Sequence, residues 1–411
     1  MKRVFKISYG VFKIVSVFCW FLLLFLMTIN YQNDLDNLFE IFFYYSIFMG
    51  IVFKHQFNIN LEIVVLLLFA NVYYFIFIDY NGFNPWSYTR LWTGASMMYF
   101  AGKMFMTHQT KKYFPIILLT FAVGLFTYAS LNMHLYITSH TPAGTRVAYD
   151  FWAGHPIGST LMAAYYIAIG SLLFYAIFYI KLKTIYVNII LLAAIFVGAY
   201  HNILLSNRTY FVILFFTFIA MFPIHFVFKK KKALLEFAIV ALLIGVLLTI
   251  YNTDVFGIMT QIESTRWFGR MEFLVENGFI ADPRFQVYGL VWPQIFMYPL
   301  GGYQMDLGGL SHAHNLWLDV LYTAGPYPFI LLVSYSLLTL FTLSKVLISK
   351  HVAQDTKVIL LSIYLGMHLY FMVEPILDGV PYVFSMFCIL NGSTYSYIRF
   401  INLKENKQKN D

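Results

Sequence analysis

Apolar runs of about 17 to 31 residues alternate with short polar turns along the whole 411-residue chain. Each run, coiled as a helix, is long enough to cross a hydrocarbon core about 30 Å thick. Twelve such runs fall at about 9–29, 37–53, 60–79, 90–106, 113–131, 157–180, 184–201, 204–228, 233–251, 314–344, 357–374 and 380–398. A transmembrane β-barrel would show short alternating strands instead. The pattern therefore predicts an all-α polytopic membrane protein, a single integral domain over 1–411. The start "MKRVFK" before an apolar run resembles a signal peptide. No small-x-small cleavage site follows "FLLLFLMTINYQND", so the first span is expected to be retained.

One polar stretch, 252–313 between the ninth and tenth runs, is long enough to hold structure of its own. Within it, "ESTRWFGRMEFLVENGF" reads as an amphipathic helix lying on the membrane, with Trp267, Phe268, Met271, Leu274 and Val275 on its apolar side. "ADPRFQVYGLVWPQIFMYPLGG" reads as a second short helix ended by Pro299 and Gly301–Gly302. The tenth run then starts at "HAHN". From His314 to Lys345 it would be about 47 Å of helix, more than one crossing needs. "AGPYP" must kink or break that rod, and broken helix near a membrane is tolerated where it lines a cavity.

Charge then orients the spans. Composition is 60% hydrophobic and 11% charged, with mean hydropathy +0.70, whereas soluble domains carry about 25% charged residues. One set of turns, with both termini, carries all 19 lysines plus Arg3 and Arg399. By the positive-inside rule that side is cytoplasmic. The other side carries only arginines: Arg90, Arg146, Arg208, Arg266, Arg270 and Arg284. The rule disfavours both residue types outside and says nothing of a preference between them. A guanidinium offers phosphate a planar bidentate fork, so an outward-facing phosphate site explains the choice. Arginines snorkelling to outer headgroups is the plainer alternative. Arg266 and Arg270, four apart, share a helix face. Cys19 and Cys388 lie in apolar runs and imply no disulfide framework.

The remaining candidates stand at the helix mouth. His314 or Asn315 would sit at the N-terminus of a half-helix, where the dipole disfavours an imidazolium and leaves a neutral ring to act as a base. Asn315 as a plain helix cap is the competing reading. His312 and His314 lack a third ligand at metal-site spacing, so no metal and no cofactor is expected. Asp319 and Glu374 near the outer surface can orient a histidine or bind a sugar hydroxyl.

Together these stretches resemble the bacterial O-antigen polymerase and ligase superfamily. "SNRTYFVILFFTFIAM" is similar to that family's Ser-Arg-Thr/Gly start of a mid-chain span, which selects Arg208. "RFQVYGLVWPQIFMYPLGGY" is similar to its arginine followed by Pro-x-Gly, which selects Arg284. "HAHNLWLDVLYTAG" is similar to its His-Asn-x-x-Leu, which selects His314, and Arg146 in "GTRVAYDFWAGHPIGSTLMAAYY" matches a further arginine. The motifs cover about 140–330. The resemblance implies a metal-independent glycosyltransferase of the GT-C type in the bacterial inner membrane, its active site facing the periplasm. Its donor would be an oligosaccharide on undecaprenyl pyrophosphate, and a chain-length-determining co-polymerase would be its partner; nucleic acid would not. His314, Arg208 and Arg284 would be catalytic, and Arg146, Arg266, Arg270 and Asn315 would bind substrate. The "EPILDGVP" loop resembles polymerases more than ligases, so polymerisation of repeat units is expected first. Ligation of the finished glycan to lipid A-core is the alternative. A flippase for the same lipid-linked sugars is a third reading, weakened by the lack of an internal repeat.

Overall fold

The computed structural model describes residues 2–31, 35–55, 58–81, 94–139, 147–158, 162, 165–166, 185–222, 226, 238, 245, 263, 266–278 and 283–410. Among these the chain is mostly helical, with one two-stranded hairpin. Among the described residues, three helices are long and apolar enough to cross a membrane: Gly10–Thr28, Lys111–Thr138 and Pro326–Ile348. Of the expected spans, 157–180 and 233–251 lie almost wholly outside the described residues.

Two compact units divide the chain: 1–124 with 287–353 and 371–411, and 125–286 with 354–370. In the first, α1 (Lys2–Thr28), α2 (Leu35–Val52), α3 (Leu61–Asn81), α4 (Met98–Phe105) and the first half of α5 (Phe114–Thr138) are set down in order. The apolar 98–105 run becomes a helix enclosed on several sides. Trp20 of α1 stacks on Phe105 with ring centroids 3.7 Å apart, and its indole N–H donates to Ser46 Oγ at 2.9 Å. The last helix, Pro381–Asn410, crosses α4 at backbone contact. A Cβ at Gly392 would stand 1.9 Å from the Tyr99 carbonyl oxygen, and one at Gly102 would stand 2.1 Å from that of Ile389. Small residues at such crossings allow the close approach that holds apolar helices together in lipid. Next to this crossing, the buried Glu62 accepts from the Tyr99 hydroxyl at 2.6 Å and from Thr342, while the buried Lys103 donates to Asn60 Oδ1 at 2.6 Å. Buried ionisable groups persist where they are bonded in this way.

The second unit holds the hairpin, β1 (Val147–Tyr149) antiparallel to β2 (Pro156–Gly158), between the fifth expected run and the start of the sixth. Asp150, fully buried, organises it. Its Oδ1 accepts from the Trp152 and Ala153 amides at 2.8 and 2.9 Å, and Tyr128 donates to the other oxygen. Helix α6 (Ile185–Leu204) is followed by α7 (Thr209–Phe222). The two helices expected in the long segment are present as α8 (Arg266–Asn277) and α9 (Pro283–Val291), but α9 stops well before the expected end at Pro299 and passes into a 3-10 turn at Trp292–Gln294. On α8, Phe273 and Val275 are exposed.

The expected break is also present. Helix α10 (Leu316–Ala324) stops at Gly325, and α11 (Pro326–Ile348) starts with proline in its first turn. Proline disfavours helical conformation in the residue before it and lacks the amide that a first-turn position leaves unbonded. Gly325 has φ 82° and ψ −173°, a region nearly reserved for glycine, and a Cβ there would stand 2.2 Å from the Pro299 carbonyl oxygen. Gly325→Ala is therefore expected to lower unfolding stability by about 3 kcal/mol. A thermal shift in detergent no larger than that of Gly10→Ala, which has open space for a Cβ, would contradict this.

Candidate functional site

Two short elements and a buried carboxylate build the histidine cluster of the first unit. Asn315 caps α10 in extended conformation: its Oδ1 accepts from the Trp317 and Leu318 amides at 3.1 Å each. Its Nδ2 donates to the Met372 carbonyl at 3.3 Å. Both ends of the amide, expected at the substrate, are thus engaged within the protein. The residue before it, His314, has φ 51°, in the left-handed region. Such a backbone costs a non-glycine residue about 1–2 kcal/mol and persists only where its surroundings impose it.

Asp319 imposes it. One turn into α10, its side chain is only 3% exposed and reaches back past the helix start. Oδ1 accepts from the Ala313 amide at 2.7 Å and Oδ2 from the Asn315 amide at 3.1 Å. The two amides flanking His314 are therefore held by one carboxylate, and the imidazole is presented at a fixed angle from a strained turn.

His312 stands beside it, its ring centroid 6.4 Å from that of His314 and the planes at 78°. Its Nδ1 lies 3.5 Å from Asp378 Oδ2. Asp378 comes from the "EPILDGVP" loop, 66 positions further on, and sequence reasoning assigned it no role. The usable signal was a carboxylate in an outer turn just before Pro381. Glu374 of the same loop is 1% exposed. Tyr73 of α3 lies within electrostatic range of Asp378, Tyr303 and Asp319, so an early helix also borders the cluster. No spacing in the sequence links it to the histidines. Among the described residues, no three of His, Cys, Asp and Glu converge as a metal set.

The bond to Asp378 raises the His312 pKa above 6.5, with burial opposing. Groups whose folded pKa is raised favour the fold at low pH and lose that contribution as pH rises through the raised value. For His312 that loss sets in near the ordinary value of 6.5 and is complete above the raised one, and Asp378→Asn should flatten this dependence by removing the partner of His312. An unchanged pH profile of the melting temperature in Asp378→Asn would show that the pair does not titrate in this window.

In the second unit Arg208 is partly buried at a sharp junction between helices. Ser206 closes α6 with φ 52°, the Asn207 amide donates to the Asn202 carbonyl at 2.8 Å, and the Asn207 Oδ1 accepts from the Thr209 amide at 2.9 Å. Asn207 thereby forms a turn that leads into α7, and Arg208, whose carbonyl accepts from the Val212 amide at 3.2 Å, stands just before the first turn. Arg284 is the second residue of α9 and partly buried, and Arg266 is the first residue of α8, which also carries Arg270. A cation in a first turn opposes the helix dipole, whereas an anion there is stabilised by the free amides. Arg266 and Arg284 occupy that position, and Arg208 stands just before it. Arg146 lies outside the described residues.

No protein-family model matches the chain, and no curated protein matches it.

Proposed function

We propose that the chain is a GT-C-type glycosyltransferase that polymerises lipid-linked O-antigen or other surface-polysaccharide repeat units. It would work at the outer face of the bacterial cytoplasmic membrane, with twelve spans and both termini inside. The observation that carries this reading is the clamped turn at His314: a buried carboxylate holds a strained backbone so that one imidazole stands at the mouth of a broken helix. Strain of this kind gathers at functional sites.

The chemistry follows from the residue types. His314 takes the proton of the attacking sugar hydroxyl as its oxygen bonds to the anomeric carbon of the donor glycan. The bond from that carbon to the pyrophosphate oxygen breaks, and undecaprenyl pyrophosphate leaves with the electron pair. Arg208 and Arg284 bind that anion and stabilise the charge it gains. The place of Arg284 in a first turn and of Arg208 just before one adds backbone amides and the positive end of a helix dipole to each guanidinium. Arg146, Arg266 and Arg270 complete the donor contacts. A co-polymerase sets chain length, and no cofactor takes part.

Purified protein given only undecaprenyl-pyrophosphate-linked repeat units should produce a ladder of glycans on a gel. Arg208→Ala and Arg284→Ala should each insert normally and lose about 10²–10³-fold in rate. Full activity in either variant at normal protein level would remove that arginine from the mechanism. The ligase reading uses the same donor; product formed only when lipid A-core is added would establish it and overturn polymerisation.

A further inference from the structure

The segment between α9 and the start of α11 is apolar on two opposite sides. One side is buried. Val291, Ile295 and Tyr298 pack into a core with Met305, Leu307, Leu318 and Leu321. The other side presents Trp292, Phe296, Met297 and Leu300 outward, with Phe296 91% and Met297 68% exposed. A loop in water has no reason to display four large apolar side chains within nine residues.

Nor is the segment loose. Gln294 bonds both the amide and the carbonyl of Asp306, at 2.8 and 3.0 Å. The Pro299 carbonyl is wedged against Gly325, and Trp292 meets Phe329 edge-on with centroids 6.1 Å apart. The outward side chains are therefore held rigidly beside the first turn of α11. That helix exposes Tyr327, Ile330, Leu337, Phe341 and Ile348, a stripe repeating every three, four or seven residues and so lying on one face. It is also one of the three helices apolar enough to cross a membrane.

We infer that residues 292–300 form a wedge that inserts into the acyl region of the outer phospholipid leaflet, continuous with the lipid-facing stripe of α11. Insertion would be about 5–10 Å deep, as for other interfacial apolar faces. The wedge has a consequence for the histidines. The Gly302 and Tyr303 amides donate to the Thr323 and Tyr322 carbonyls at 2.8 and 3.2 Å, so the segment is tied to the C-terminal end of the helix whose N-terminus carries His314. Anchoring one end of α10 in lipid fixes the other at headgroup level, where a lipid-linked pyrophosphate lies.

The inference rests on the chain being a membrane protein and not on the transferase reading, and its test needs no glycan. Full-length Cys19→Ala protein, its remaining Cys388 being buried, would carry either Met297→Cys or Gln304→Cys, labelled with bimane and reconstituted in phosphatidylglycerol–phosphatidylethanolamine vesicles. Gln304 is exposed in the same outer segment. A nitroxide high on the lipid acyl chain should quench the label at position 297 severalfold more than that at 304, and aqueous iodide should show the reverse order. Iodide quenching equal at the two positions would overturn the wedge. Protection of position 297 from both quenchers would also overturn it, by showing that protein, such as a second copy of the chain, covers the face. Phe296→Cys repeats the measurement should Met297→Cys fail to insert.

Discussion

His314→Gly and His314→Ala are expected to be equally inactive and unequally stable, glycine being the more stable by about 1 kcal/mol. The loss of transfer should be about 10²–10⁴-fold in either, the usual contribution of a positioned general base. Both variants remove the imidazole and every contact it makes, so those contacts cancel in the comparison. What remains is the backbone. Position 314 has φ 51°, which glycine adopts freely and alanine does not. Glycine also loses more chain entropy on folding, which offsets part of the gain. Equal melting temperatures would mean that the turn relaxes when the imidazole is gone, and that the ring, rather than the carboxylate below it, imposes the strain. Retained glycan transfer in either variant would sink the assignment of His314 as the base.

The second large effect falls on a residue that the reaction never touches. Asp319→Ala should cost about 3 kcal/mol, because two backbone amides lose a shared carboxylate acceptor in an interior site. Asp319 is a positioning residue. Its loss should lower kcat by about 10²-fold with little change in KM, as expected when a catalytic group is displaced by about an ångström. Asp319→Asn separates folding from positioning. It keeps the shape and one acceptor oxygen, and it turns an amino group toward the remaining amide. A general loss of fold would reduce the amount of active protein without altering its KM-to-kcat balance or its pH profile. Combining Asp319→Asn with His314→Ala gives the sharper reading. If Asp319 acts only through His314, the double variant is no slower than His314→Ala alone. A further drop in rate would give the carboxylate a direct part in the chemistry.

These residues differ in how far the sequence exposed them. Asn315 as a helix cap, the break at Gly325–Pro326 and the two short helices of the outer segment were all readable, because each depends on neighbours within about one helical turn. Asp319 was named as a group able to orient the histidine, from its expected place near the outer surface. That it would straddle His314, holding the amides on both sides, required the backbone itself. Asp378 and Tyr73 were beyond reach. They come to His312 from 66 positions later and from an early helix, and a carboxylate or a phenol carries no mark of its distant partner. The hairpin at 147–158 was missed for a related reason. Its strands are three residues each, too short for alternation to register, and they are organised by the buried Asp150.

Local interactions thus determined much of this protein on their own. Among the described residues three hydrophobic runs made helices of a length to cross a bilayer, proline and glycine broke the run after His314, and Arg266 and Arg284 fell in the first turns of two short helices. The tertiary structure decided what local rules leave open: which carboxylate grips the turn before His314, which loop supplies a partner for His312, and which face of residues 292–300 is left uncovered. The physical reason is range. Helix propensity and capping act over three or four residues, whereas the strained backbone and the exposed wedge exist only because distant segments are packed where they hold them.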